Sequence, residues 1–311
     1  MSRRPVAVLT GPTGTGKTDI ALALAREFPL EIVSVDSAQV YRGLDIGSAK
    51  PPPEIRAQVP HHLVDLVDPA ASYSAGQFAR DAARAIEDIE SRGRVPLLVG
   101  GTMLYLRALT GGIATLPEGS AELRAALDAE AVRDGWPALH ARLAGVDPAA
   151  AARIHPNDSQ RIQRALEVHA VGGRPISELQ TATRPALERE FHVCALLPTD
   201  RVRLHADLER RFAQMMAAGL LDEVRALRAR GDLTDAHPAI RAVGYRQLWA
   251  HLDGSYALDV AVQRAVAATR QLAKRQMTWL RSMANIRPFD PYDAQSFVGV
   301  RESLMRVFYP L

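Results

Sequence analysis

Continuous apolar runs alternate with a helical repeat along the first hundred positions. Val6-Ala7-Val8-Leu9-Thr10 is one such run, and the segments 31–36 and 94–102 hold two more, the second ending on Asp36 and the third on Gly100-Gly101-Thr102. Apolar runs this short, bounded by glycine and turn residues, read as buried strands. Within 74–92, Phe78, Ala82, Ala85, Ile86 and Ile89 fall at helical spacing. Strand, helix and strand in alternation predict an α/β fold: a parallel sheet with helices on both faces. A fourth run, 193–197, returns to that sheet. The stretch 115–190 is different. It is rich in Ala and Arg, with helical segments over 121–134, 136–143, 148–154 and 158–171 broken by Pro and Gly. Three further helices are expected over 201–218, 220–230 and 257–281, and from 288 the pattern is only weakly helical. The expected organisation is a catalytic core of 1–114 plus 191–288, an all-helical insertion over 115–190 and a C-terminal tail over 289–311.

The first run breaks into Gly11-Pro12-Thr13-Gly14-Thr15-Gly16-Lys17-Thr18, followed by a segment of helix-forming composition. This is a P-loop in the setting it needs, between a strand and a helix N-terminus. Its glycines let backbone N–H groups close around phosphate oxygens, and the helix dipole favours the same anion. Lys17 would add a point charge and the Thr18 hydroxyl would take a Mg²⁺. Only three lysines stand among the 38 basic residues, so a lysine at this position is not background. The core is therefore of the P-loop NTPase-like kind and binds a di- or triphosphate. Asp36 and Thr102, like the P-loop, follow strand ends, and in open α/β sheets such ends share one cleft.

Charge adds a second partner. The net charge is only +3, but 260–289 contains no acidic residue and carries Arg264, Arg270, Lys274, Arg275, Arg281 and Arg287, with Trp279 among them. Such a stripe suggests a polyanion, although a solvated basic face has the same composition. A single cysteine, Cys194, excludes a disulfide framework and sits in an apolar run as a small core residue. No run approaches membrane-spanning length, and Met1-Ser2-Arg3-Arg4 leads straight into the first strand, so a cytoplasmic protein is expected. His61-His62 lack partners at metal-ligand spacing, and Trp136 and Trp249 are expected in the core.

Besides the P-loop, the chain carries Asp36-Ser37-Ala38-Gln39, Gly100-Gly101-Thr102-Met103-Leu104-Tyr105, His155-Pro156-Asn157-Asp158, Gln160-Arg161-Ile162-Gln163-Arg164-Ala165-Leu166-Glu167, Arg241-Ala242-Val243-Gly244-Tyr245-Arg246-Gln247 and the segment 273–281. In this order they resemble the bacterial tRNA dimethylallyltransferase family over nearly the whole chain. The resemblance implies transfer of a dimethylallyl group from dimethylallyl diphosphate to N6 of adenosine 37, in the anticodon stem-loop of tRNAs reading codons that begin with U. It implies Asp36 as general base, Thr102 beside the reacting centre, and an arginine gripping the diphosphate that best matches Arg211, with Arg210 its neighbouring alternative. It also implies tRNA contacts from Asp36–Gln39, Thr102, Gln160–Arg164 (Gln160, Arg161, Ile162, Gln163, Arg164) and Arg241–Arg246. Arg124 is a weaker tRNA candidate, and Lys274, Arg275 and Arg281 would follow phosphates. On the residues alone, Asp36 at a strand end is a candidate base, with a Mg²⁺ ligand or an N-cap of the following segment as the alternatives, Gly-Gly-Thr is also a turn with a cap, and the 160–164 face is also a solvated one. Tyr245 could stack on an unpaired base. A monomer is expected. The competing readings are a P-loop kinase of a small molecule, favoured by the P-loop alone, and a transferase that prenylates free adenylate.

Overall fold

The computed structural model describes residues 4–114, 116–117, 119–181 and 183–308. The first three residues, on which the reading of the N-terminus partly rests, and the last three of the expected tail lie outside these. The chain divides into two units, Met1–Thr110 with Ala186–Leu311, and Gly111–Pro185.

The first unit begins β1 (Val6–Thr10), α1 (Lys17–Glu27), β2 (Leu30–Val35), α2 (Pro53–Gln58), β3 (His61–His62), α3 (Ala75–Ser91), β4 (Val95–Gly100) and α4 (Met103–Thr110). The second unit holds α5 (Ala121–Asp134), α6 (Trp136–Val146), α7 (Pro148–Ala151), α8 (Ser159–Gly172) and α9 (Ile176–Leu179). The chain then re-enters the first unit through β5 (Phe191–Leu196), α10 (Arg201–Ala217), α11 (Leu220–Ala229), α12 (Tyr245–Leu252), α13 (Leu258–Ser282), β6 (Ile286–Phe289) and α14 (Ser296–Phe308).

All strand pairings are parallel, in the order β3-β2-β4-β1-β5-β6. Every residue of β1 and β2 is buried, which is why both read as unbroken apolar runs rather than alternating ones. β4 inserts between β2 and β1, and the chain then crosses to the far side of β1. That reversal opens a crevice beyond the carboxyl ends of β1, β2 and β4, where ligands bind in such sheets. One face packs Leu24, Phe28, Leu304 and Phe308 against Leu9, Ile32 and Leu97. α3 starts at a Ser74 capping box and buries Phe78, Ala82, Ile86 and Ile89, the spacing read from the sequence.

A separate core gathers Tyr41, Leu44, Phe212, Val224, Tyr245 and Trp249 from the segment after β2 and from α10, α11 and α12. In the second unit, Leu127, Leu139, Leu143, Ile162 and Leu166 form a core of their own.

The expected tail from 289 needs correction. Residues 286–289 form a strand paired with β5, and α14 buries Val300, Leu304, Val307 and Phe308 in the core of the first unit. Among the described residues, no helix is long and apolar enough to cross a membrane.

Candidate active site

The P-loop turns at Gly14 (φ 82°) and Gly16 (φ 75°), both in the left-handed region that favours glycine. A Cβ at Gly14 would also lie 2.7 Å from the end of the Leu208 side chain, which would have to shift. Gly16 caps α1 without a side-chain hydrogen bond, leaving the first N–H groups of the helix for an anion. Lys17 folds back to donate from Nζ to the Pro12 carbonyl at 2.7 Å, and Thr15 donates to the same oxygen at 2.9 Å. Burial, then the Arg211 guanidinium, push the Lys17 ammonium down to about 7, against the pull of Asp36. An anion arriving here meets a lysine that is readily recharged.

Asp36 follows β2. Its Oδ1 accepts from the Ala38 and Gln39 N–H groups at 2.8 and 3.2 Å and closes the turn over 37–40, so it caps a turn and not a helix. Among the described residues Oδ2 takes no hydrogen bond, and Asp36 borders two adjoining cavities. Gly100 lets β4 approach β2: a Cβ on it would stand 2.2 Å from the Val35 carbonyl oxygen. The Thr102 N–H then donates to that same Val35 oxygen at 3.1 Å, and the Thr102 hydroxyl accepts from the Ser37 N–H at 3.1 Å. Asp36 and Thr102 are thereby tied into one turn.

α10 supplies Arg211, which lines both cavities. Its guanidinium is held below its usual range by burial, with Asp36 and Asp19 acting in the other direction. Arg210 borders only the larger cavity, where it is exposed and ion-pairs with Asp207. The arginine facing both Lys17 and Asp36 is therefore Arg211. The larger cavity, about 920 Å³, opens over the P-loop, and the smaller, about 480 Å³, over Asp36, Thr102, Leu104, Arg241, Arg275 and Trp279. Thr13, Asp36, Gly101, Arg211 and Gln276 border both. A phosphate cradle and a half-apolar chamber thus share one wall, and the carboxylate stands in it.

Metal chemistry fits this wall to a limited extent. Among the described residues no group of three His, Cys, Asp or Glu could hold an ion. Thr18 is exposed in the first turn of α1, beside Lys17 in the larger cavity. One hydroxyl completed by phosphate oxygens and water is a ligand set that Mg²⁺ accepts.

Known proteins place this arrangement. An IPP transferase family model matches residues 39–283, and an isopentenyl transferase model matches residues 4–59. The chain is 57% identical over 284 residues to a tRNA dimethylallyltransferase of Bordetella petrii, covering 90% of each chain. It is 58% identical to one from Alkalilimnicola ehrlichii, covering 89% of this chain and 87% of that one.

The chain belongs to the IPP transferase family.

Solved structures agree. A tRNA isopentenylpyrophosphate transferase from Bacillus halodurans superposes with TM-score 0.72 at 34% identity, covering 98% of this chain and 97% of the other. A eukaryotic dimethylallyltransferase captured acting on tRNA superposes with TM-score 0.80 at 27% identity, covering 98% and 78%.

In this IPP transferase, two sequence expectations fail on burial. The Tyr245 side chain is fully buried and donates to Glu223, so it does not stack on a base. Its work is to fix the loop before α12, where Arg241, Ala242 and Val243 line the smaller cavity, Gly244 has φ 93° and Arg246 is exposed. Ile162 is also fully buried, in the core of the second unit. Its neighbours divide by role. Arg161 is exposed and lies 3.5 Å from Asp158, whereas Arg164 and Arg124 both pair with the buried Glu167, at 2.6 and 2.8 Å. Gln163 donates to Asp128, and Gln160 is exposed. Those two arginines therefore serve the fold of the insertion.

The basic stripe is partly committed as well. Arg270 pairs with Glu209, Arg264 covers the Tyr256 ring at 4.4 Å, and Arg287 lies on β6. Lys274, Arg275 and Arg281 are exposed on α13.

Sequence reading missed three residues that shape the site. Glu223 accepts from the Asp45, Ile46 and Gly47 N–H groups and from Tyr245, fixing the loop behind Ser48. Lys50 is buried between Asp45 and Asp65, each at 2.6 Å, and its rarity was a usable signal. Gln276 reaches both the P-loop and Gly101.

Proposed function

We propose that this transferase moves a dimethylallyl group from dimethylallyl diphosphate to N6 of adenosine 37, in the anticodon stem-loop of tRNAs reading codons that begin with U. The observation that carries this reading is the wall shared by the phosphate cradle and the half-apolar chamber, with Asp36 and Arg211 in it. The diphosphate lies against the α1 N-terminus with Lys17 and Arg211, which take up the charge that grows on it. Mg²⁺, when bound at Thr18, offsets part of that charge. The C1–O bond of the donor breaks and its electron pair leaves with the diphosphate. The N6 lone pair forms the new C1–N6 bond, and Asp36 takes the proton that N6 releases. Thr102, fixed to the Asp36 turn through Ser37, positions the acceptor. An adenine stacked in a loop must first turn out into the chamber, so exposed cations are needed at its rim. Arg241 and Arg275, which line the smaller cavity, meet that need, and Arg161 offers the tRNA an exposed cation on the insertion. The enzyme works as a monomer in the cytoplasm.

The test incubates the protein with Mg²⁺, dimethylallyl diphosphate and unmodified tRNA carrying adenosines at positions 36, 37 and 38, then reads the nucleosides by mass spectrometry. Parallel reactions replace the donor with ATP or the tRNA with AMP. Isopentenyladenosine in the first reaction alone supports reaction, donor and acceptor together. Phosphate transfer from ATP, or prenylation of AMP alone, would replace the reading with a kinase or an adenylate prenyltransferase.

A further inference from the structure

The geometry points to Gln276 as a positioning residue that sets the distance between the leaving group and the acceptor. This rests on the reaction proposed above and names a residue to which that reading gives no part. Lys274, Arg275 and Gln276 follow one another on α13, and successive helix residues point about 100° apart. Lys274 and Arg275 are exposed, and Gln276 turns inward to 9% exposure.

Its one amide makes two bonds to two different loops. Oε1 accepts from the Thr13 N–H of the P-loop at 3.0 Å, and Nε2 donates to the Gly101 carbonyl at 2.8 Å. Gly101 precedes Thr102, the residue tied to the Asp36 turn. The span therefore runs from the cradle of the diphosphate to the loop that holds the acceptor. Gly101 accommodates the amide because it lacks a side chain: a Cβ there would lie 2.6 Å from Nε2 and 2.9 Å from the Gly11 carbonyl oxygen. The two contacts call for a donor and an acceptor on one terminal group, and glutamine is long enough to present both. Glutamate lacks the donor, methionine lacks both, and asparagine is one methylene short.

Displacement at carbon needs the attacking nitrogen, the carbon and the leaving oxygen in line, and misplacement by about 1 Å can cost on the order of 100-fold in rate. Releasing Thr13 from Gly101 loosens that line while Lys17, Asp36, Thr102 and Arg211 all remain. Gln276→Met, similar in length and free of both hydrogen bonds, is expected to lower the single-turnover rate at saturating donor and tRNA by about 10- to 100-fold. Binding of tRNA, and of a non-reacting thio analogue of the donor, should each change by less than about 3-fold, because the contacting groups remain.

Gln276→Asn, which keeps the amide but cannot span both partners, should show the same split. It serves as the second variant should Gln276→Met not fold, and melting curves are recorded for both. A single-turnover rate within 2-fold of the parent overturns the assignment. So does a rate loss matched by equal losses in both affinities, which would make Gln276 merely structural. Parent enzyme that forms no prenylated tRNA would sink the proposed reaction and this inference with it. Parent turnover alongside unimpaired variants sinks only the inference.

Discussion

Binding of the proposed donor at Lys17 should depend on pH in a direction fixed by the surroundings of that lysine. Burial and Arg211 hold its ammonium at about 7 in the free enzyme. Two or three negative charges on a bound diphosphate raise it well above that. Below pH 7 the lysine is already charged and binding takes up no proton from it. Above pH 7 each donor bound recharges one lysine, so affinity falls by up to tenfold per pH unit. From pH 7 to pH 9 the loss is about 50-fold, ~2 kcal/mol, at 1.36 kcal/mol per pKa unit. The last proton of a diphosphate monoester leaves at about pH 6–7, which strengthens binding as pH rises and so opposes the effect, and the burial-raised Tyr105 phenol stays neutral, so neither imitates it. Calorimetric titration with a non-reacting thio analogue, in buffers of differing ionisation enthalpy, reads affinity and proton uptake together. Uptake should rise from about half a proton at pH 7 towards one at pH 8.5. Lys17→Arg stays charged throughout and should give a flat profile. A flat profile and no uptake in the parent enzyme would refute the reasoning.

Three other outcomes follow from the same geometry. Asp36→Asn keeps an oxygen for the Ala38 and Gln39 N–H groups, so tRNA binding should hold while the single-turnover rate falls by about 100- to 10,000-fold. Equal losses in rate and binding would instead make the carboxylate a contact for tRNA. Arg161→Ala removes an exposed cation with one weak pair, so stability should shift by less than about 0.5 kcal/mol while the salt dependence of tRNA binding drops by about one phosphate. Glu167→Leu leaves Arg124 and Arg164 without their shared acceptor and should destabilise the insertion by about 1–3 kcal/mol, read by thermal melting and limited proteolysis. Unchanged melting would show that the two arginines are solvated rather than bound.

What the sequence disclosed follows from the range of the interactions involved. The four central strands were legible because a parallel strand buried on both faces is a continuous apolar run. β3, with two residues, and β6, whose Arg287 and Pro288 interrupt any such run, were not. An edge strand tolerates both residues because one side of its backbone needs no partner. The P-loop and the Asp36 and Thr102 turns are local chemistry, visible as spacing. Gln276 and Glu223 act across long stretches of chain, Gln276 reaching residues 263 and 175 positions away, so even inside the 273–281 motif the partners of Gln276 could not be read from its neighbours. Tyr245 misled because a tyrosine beside exposed arginines reads equally as a stacking ring or as a core ring with a hydrogen-bonded tip.

The place of β1 in the sheet has a consequence for biosynthesis. Val6, leading into the phosphate loop, is made well before its strand partner Phe191 emerges from the ribosome. At about 5–20 residues per second the gap is ~10–40 s, during which one edge of an apolar strand lacks its neighbour. Contacts this remote also slow the search for the native pairing. Newly made chains should therefore acquire the ability to hold a diphosphate late and abruptly, when β5 docks, and should depend on chaperones until then.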